Sequence, residues 1–253
     1  MDRLLEGKVA IVTGGARGIG ADICRVLATQ GCSVVVNYAN SKAEAESVAE
    51  EVLMHGVRAI AIQADVRDRA QVEAMVSQTL ADLGPIDGLI NNAISGRQHG
   101  LLEEMNEKDF QNMLDFGAHA VVNTIRAVRP SMQENGGGRI VNVVTELWNM
   151  GSGNWSAYLG GKGAMVGISR ALANELGPVG ITVNMVAPGW MVTETVDITS
   201  DGSINFGKSL PLRKHGSARE IGNACAFFMS DLAGYVTGAY LPVTGGRVTQ
   251  IGA

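Results

Sequence analysis

Short runs of branched apolar residues recur along this chain. Each is followed by a longer stretch in which apolar positions return every three or four residues. The first run is Lys8-Val9-Ala10-Ile11-Val12-Thr13, and the amphipathic stretch after it carries Ile23, Val26 and Leu27 on one face. This periodicity predicts strands near 8–13, 33–37, 57–63, 86–91, 138–144, 181–186 and 239–243. It predicts helices near 18–30, 41–55, 68–83, 107–133, 156–177 and 217–230. Ser41 and Asp68 suit helix starts, and Gly31, Gly56 and Gly84 suit helix stops. Strand and helix in strict alternation argue for an α/β chain, a doubly wound seven-stranded parallel sheet with helices on both faces. Residues 1–253 then form a single domain. In such sheets ligands bind beyond the carboxyl ends of the strands, where Thr13, Asn37, Asp65, Asn91, Thr145 and Pro188 all fall.

Candidate chemistry begins after the first strand, at Gly14-Gly15-Ala16-Arg17-Gly18-Ile19-Gly20. Glycines between a strand and a helix let backbone approach a pyrophosphate and leave helix N–H groups pointing at it. The spacing is Thr-Gly-x-x-x-Gly-x-Gly, which differs from the common G-x-G-x-x-G. At the end of the second strand a carboxylate would select the ribose hydroxyls of NAD. Here the chain reads Asn37-Tyr38-Ala39-Asn40-Ser41-Lys42, with no acid. Arg17 in the glycine turn, and Ser41 with Lys42 at a helix start, suit a ribose phosphate. The expected cofactor is therefore NADP(H).

A second constellation is Tyr158-Leu159-Gly160-Gly161-Lys162. On a helix, residues four apart lie one above the other, which sets an ammonium beside a phenol. A cation about 4 Å away, at an effective dielectric near 20, favours the phenolate by on the order of 4 kcal/mol. An acidified phenol with a pKa brought below about 10 is an effective proton-transfer group.

Together these residues resemble the short-chain dehydrogenase/reductase family, most closely its 3-oxoacyl-acyl-carrier-protein reductase type. The resemblance also rests on Asp65-Val66, Asn91-Asn92-Ala93, Asn184, Pro188-Gly189 with Thr193, and Tyr235-Val236-Thr237-Gly238. It spans nearly the whole chain and implies a Rossmann-like fold. It also implies that Gly14, Gly18, Ile19 and Gly20 bind the cofactor, with Asn37, Tyr38 and Ser41 toward its adenosine end. Asp65 and Val66 would meet the adenine, Asn91 and Ala93 the nearby ribose. Pro188, Gly189, Met191 and Thr193 would flank the nicotinamide, with Thr193 at the carboxamide. Tyr158 becomes the proton donor, Lys162 lowers its pKa and holds the ribose, and Thr145 orients a substrate carbonyl.

Three positions depart from the family. Thr145 stands for a serine and keeps the hydroxyl. Gly117 stands for an asparagine that helps hold a water against the lysine. Ile94 stands for a glycine, and a branched residue there predicts a different loop path. These departures motivate a second reading, a dinucleotide-binding sensor or structural subunit without turnover. A third is a reductase of small ketones or quinones unrelated to fatty acid synthesis.

Composition narrows the classes. Apolar residues make up 46% of the chain and the net charge is −5, which gives no electrostatic footprint for nucleic acid or an anionic membrane. No apolar stretch is long enough to span a bilayer, and Met1 to Gly7 lacks a signal-peptide core. Cys24, Cys32 and Cys225 lack metal-like spacing and read as buried thiols of a cytoplasmic protein. No metal is expected. The variable stretch 190–215 is expected to form a substrate lid with apolar, aromatic walls over a small carbonyl or alcohol substrate. Arg126, Arg129, Arg213 and Lys214 are candidates to meet an acyl carrier protein, or are ordinary solvated charges. By resemblance, helices 107–133 and 156–177 would pair subunits in a homotetramer. The small residues Gly160, Gly161 and Gly163 mark a close helix approach.

Overall fold

A computed structural model describes residues 3–96, 99–194 and 196–247. Along the chain run β1 (Val9–Val12), α1 (Gly18–Thr29), β2 (Ser33–Tyr38), α2 (Lys42–Leu53), β3 (Ala59–Gln63), α3 (Arg69–Asp82) and β4 (Gly88–Asn91). Then come α4 (Glu107–Leu114), α5 (Ala120–Glu134), β5 (Gly138–Val143), α6 (Leu147–Met150), α7 (Ser156–Leu176) and β6 (Ile181–Pro188). The last elements are β7 (Met191–Val192), α8 (Asp201–Ser209), β8 (Gly216–Ser217), α9 (Ala218–Met229) and β9 (Tyr240–Val243). Seven strands form one parallel sheet in the order β3-β2-β1-β4-β5-β6-β9. The expected doubly wound architecture is present, with order reversing between β1 and β4.

The near-continuous apolar strands follow from burial on both faces. One face packs Ile23, Val26 and Leu27 of α1 with Val48 of α2 and Ile221 and Phe228 of α9. The other packs Met75 and Val76 of α3, Val121 and Ile125 of α5, and Met165 and Leu176 of α7. Gly31, Gly56 and Gly84 all take positive φ just past helices, as stop residues should. Asp68 caps α3 by accepting from the Ala70 and Gln71 amides. Ser41 stands at the N-cap position of α2 without a side-chain cap bond.

A buried polar chain fixes the sheet to the helices that carry the site. Thr124 donates to Asn91 Oδ1 at 2.8 Å, Asn91 donates to Asn142 Oδ1 at 2.8 Å, and Asn142 donates to Ser169 Oγ at 2.7 Å. Asn91 and Asn142 are opposite one another in the β4–β5 register. Satisfied networks of this kind rigidify, because an unpaired member would bear the full cost of desolvation.

The helix expected over 107–133 is interrupted. Asp115–His119 winds as a π-helical turn between α4 and α5. Gly117 in that turn packs on the Gly161 backbone of α7, and Gly161 in turn packs on the Met113 carbonyl. A Cβ at either glycine would lie inside the partner's carbonyl group. Gly163 is likewise filled by the Trp148 ring, while Gly160 faces open space. The small residues of α7 are therefore used for close approach within the chain. The π turn breaks the 3.6-residue repeat and α6 is a single turn, so both escaped the periodicity, and α8 carries Gly202 and Gly207 that dilute its apolar pattern. A Gly117→Ala variant, favoured by about 1 kcal/mol on helix propensity alone, should instead lose about 1–3 kcal/mol through overpacking. Urea unfolding of the two proteins measures the sign directly.

Candidate active site

Thr13 sets the glycine turn. Its hydroxyl donates to the Ile90 carbonyl and accepts from the Asn92 and Ala93 amides at 2.9 and 3.1 Å. Asn92 donates its side-chain amide to the Thr13 and Gly14 carbonyls. Gly14 and Gly18 have φ of 61° and 55°, and a Cβ at Gly20 would strike the Gly14 carbonyl. The turn thus requires glycine where the motif places it. Arg17 is exposed at the N-cap of α1. Ile19 faces the cavity described below.

The α1 N-terminus already receives an anion. The Gly18 N–H donates to Glu194 Oε1 at 2.9 Å, across from the lid. A carboxylate oxygen on a free helix amide stands where a phosphate oxygen fits. The chain's own glycine turn therefore matches the dinucleotide expected from its sequence.

The adenosine-side candidates are held by the protein itself. Asn37 is buried, accepts from the Gly14 amide, and donates to the Ala64 carbonyl at 3.0 Å. Tyr38 and Val66 are buried. Asp65 grips Arg67 at 2.6 Å, and that guanidinium holds its carboxyl below the usual carboxylate range. Ser41 and Lys42 lie at the start of α2, with Lys42 3.7 Å from Glu46. The Asn91 side chain is consumed by the network above, and Asn184 likewise binds the Val236 carbonyl and Ala239 amide. Ala93 packs on Gly14. Ile94 has an ordinary negative φ, so the loop runs without the conformation a glycine would need.

Beyond β5 and β6 opens a cavity of about 400 Å³. Thr145, Tyr158 and Lys162 line it together with Pro188 and Gly189. Its walls are mainly apolar: Ile19, Ile94, Leu147, Trp155, Trp190 and Phe206. Tyr158 and Thr145 both face this cavity, and the Thr145 hydroxyl favours the ionised form of the phenol. Tyr240 donates to the Thr145 carbonyl at 2.7 Å, and burial pushes its phenol up to about 12. Met191 is buried in β7, and Thr193 lies against Gly18.

The tyrosine–lysine pair corrects one expectation. The two side chains do meet, with Lys162 Nζ 5.9 Å from the Tyr158 ring centre. The amine, however, donates to the Val143 carbonyl at 2.6 Å. Burial pushes the Tyr158 phenol above its ordinary value, and the nearby Thr145 hydroxyl opposes this only in part. Burial also lowers Lys162 to about 8. Desolvation governs both groups because both are out of water, and the amine donates to a carbonyl.

The lid also departs from the sequence reading in detail. Trp190 and Phe206 meet at 4.8 Å between tilted rings, and His215, to which the sequence assigned no role, lies 5.3 Å from Trp190 and stacks on Phe206 at 5.2 Å. Its Nε2 hydrogen-bonds Ser203 at 2.9 Å. Ile198 and Ile204 face outward. Trp155 is a wall beside Tyr158, 5.5 Å between rings, whereas Trp148 covers Gly163. The sequence pointed to Trp155 as an aromatic wall and placed Asn92 in a motif without a role of its own, whereas Glu146, Glu194 and Arg247 carried no signal.

Comparisons with known proteins agree with this geometry. A family model described as enoyl-(acyl carrier protein) reductase matches residues 14–247. This chain belongs to the short-chain dehydrogenase/reductase family. It is therefore an oxidoreductase of the class that acts on C=O and CH–OH groups. The 3-oxoacyl-[acyl-carrier-protein] reductase FabG of Staphylococcus aureus is 38% identical, over 94% of this chain and 97% of its own length. A metagenomic blue fluorescent protein solved with NADPH is 39% identical with a TM-score of 0.88, covering 96% of this chain and 98% of that one. Levodione reductase is 30% identical with a TM-score of 0.89, at the same coverages.

Two measurements follow. Lys162 falls from 10.5 unfolded to about 8 folded, so the unfolded chain binds more protons between those values. Its contribution to stability should then improve by about 3 kcal/mol as pH rises through that window. Lys162→Met should lack that improvement, as the difference between wild-type and variant urea midpoints at the two ends would show. Glu194→Ala should tighten dinucleotide binding by about 0.3–1 kcal/mol, because the α1 terminus no longer holds an internal carboxylate. Titration calorimetry reads that change, and weaker binding would contradict it.

Proposed function

We propose that this chain is an NADP(H)-dependent reductase of a carbonyl compound with an apolar body, working reversibly as an alcohol dehydrogenase. One observation supports the reading: the Tyr158 phenol and Thr145 hydroxyl line the same apolar cavity at the strand ends, beside a glycine turn suited to a phosphate. A substrate carbonyl oxygen placed there meets two hydroxyl donors at once. The bound cofactor supplies or takes up hydride at the carbonyl carbon.

Gly14, Gly18, Ile19 and Gly20 would hold the cofactor's phosphates at the α1 terminus, with Arg17, Tyr38 and Ser41 toward the adenosine end. The cationic Arg17, and the absence of an acid over 37–42, support NADP(H) over NAD(H). The solved NADPH complex of the blue fluorescent relative supports the same choice. Pro188, Gly189, Met191 and Thr193 would flank the nicotinamide, and Lys162 would hold its ribose.

Tyr158 gives its proton to the carbonyl oxygen as charge develops there, while Thr145 orients that oxygen. A phenol raised by burial stays protonated at neutral pH, which suits donation in the direction of reduction. A 3-oxoacyl thioester, the substrate in the names of the curated relatives, is the first candidate, and acyl carrier protein the corresponding partner. Arg126 and Arg129 line a groove between α5 and α7. That face is also the one through which a homotetramer would assemble.

Purified protein mixed with NADPH and a panel of 3-oxoacyl thioesters, diketones, quinones and aldehydes tests the reading. Oxidation of NADPH is expected with at least one class. Cofactor binding without oxidation across the panel would instead identify a sensor. Tyr158→Phe should lower kcat by about 10²–10⁴ while leaving the NADPH dissociation constant within about twofold. Retention of most activity would remove Tyr158 from its role.

A further inference from the structure

One charged pair inside the cavity is not used by the chemistry above. Arg247 Nη1 donates to Glu146 Oε1 at 3.3 Å, and both residues line the cavity with Thr145 and Tyr158. Glu146 is 2% exposed, follows Thr145 directly in the chain, and lies against Gly189. Its second carboxylate oxygen is buried without a partner among the described residues. The Arg247 guanidinium lies 5.4 Å from the Phe206 ring centre, while its side chain keeps 35% of its exposure. Among the described residues, Glu146 is the one side chain that accepts from the Arg247 guanidinium. The aromatic face and the buried carboxylate hold the cation in place from two sides.

The bond to Glu146 uses Nη1, which leaves the edge formed by Nε and Nη2. That edge is a two-donor fork matched to a carboxylate. Among the cavity-lining side chains, Lys162 and Arg247 are cationic and Glu146 is the one acid. A cavity with an excess of cations in a chain of net charge −5 is selective for an anion. We infer that Arg247, oriented by Glu146 and Phe206, is a specificity-determining residue that binds a carboxylate on the carbonyl substrate, so that the preferred substrate is an oxo acid with an apolar or aromatic body. This rests on the reductase reading and places an oxo acid ahead of the 3-oxoacyl thioester as its substrate.

The test compares benzoylformate, benzoylpropionate and benzoylbutyrate with their methyl esters, as substrates with NADPH. For at least one pair the wild type should favour the acid by roughly ten- to hundredfold in kcat/KM, the range of a charge-assisted hydrogen bond. Arg247→Met should collapse that acid-to-ester ratio toward one, chiefly through KM, and Arg247→Lys should keep part of it. A ratio near one in the wild type, or a ratio unchanged in Arg247→Met, overturns the inference. So does a clear preference for neutral thioesters over every oxo acid. A second arm needs no turnover: displacement binding of each acid and ester to the NADPH complex. If nothing is reduced yet the acids bind better than their esters in an Arg247-dependent way, the reductase reading fails and the carboxylate site stands. Equal binding of acid and ester there overturns the site itself.

Discussion

Burying the Lys162 amine against the Val143 carbonyl is the constraint from which the site follows. An ammonium is expensive to remove from water, and a single carbonyl at 2.6 Å only partly replaces its hydration. The arrangement holds because α7 packs against β6 on one side and against α4 and the π turn on another. That packing is backbone on backbone at Gly117, Gly161 and the Met113 carbonyl. The same tight crossing leaves no room for a side chain at 117. The loss of the family's asparagine and the seating of the lysine are thus one packing decision.

Above this floor the site is assembled from strand ends that are locked elsewhere. The Thr124–Asn91–Asn142–Ser169 chain fixes β4 and β5 relative to α5 and α7. Tyr240 on β9 fixes the Thr145 carbonyl. The hydroxyl pair of Thr145 and Tyr158 is then held by groups that do not themselves react, which is what pre-organised electrostatic stabilisation requires. Several polar residues that a motif reading assigns to the cofactor, Asn37 and Asn91 above all, are spent on this scaffolding.

In the proposed reading, the 190–215 segment would add selectivity to a generic centre. Trp190, Phe206 and His215 pack into one aromatic cluster, and Arg247 reaches across Phe206 to Glu146. One cation therefore joins the lid helix, the end of the catalytic strand and the segment after β9. The Glu194 contact with Gly18 joins the lid to the phosphate turn in the same manner.

Much of this was legible in the residues alone. Alternating short apolar runs and 3.6-residue repeats marked the seven strands and most helices, because burial on both faces leaves strands few polar positions, such as Asn91 and Asn142, which bond each other. The glycine turn and the Tyr158–Lys162 spacing were legible because local geometry demands those residue types at those intervals. The tertiary structure decided what distance and solvent govern. It decided that desolvation raises Tyr158, that Gly117 is a contact and not a gap, and that Glu146 and Arg247, about a hundred residues apart, share one cavity. No local pattern encodes a pairing across that separation, since it exists only once the sheet order brings the segments after β5 and β9 within reach of each other across β6.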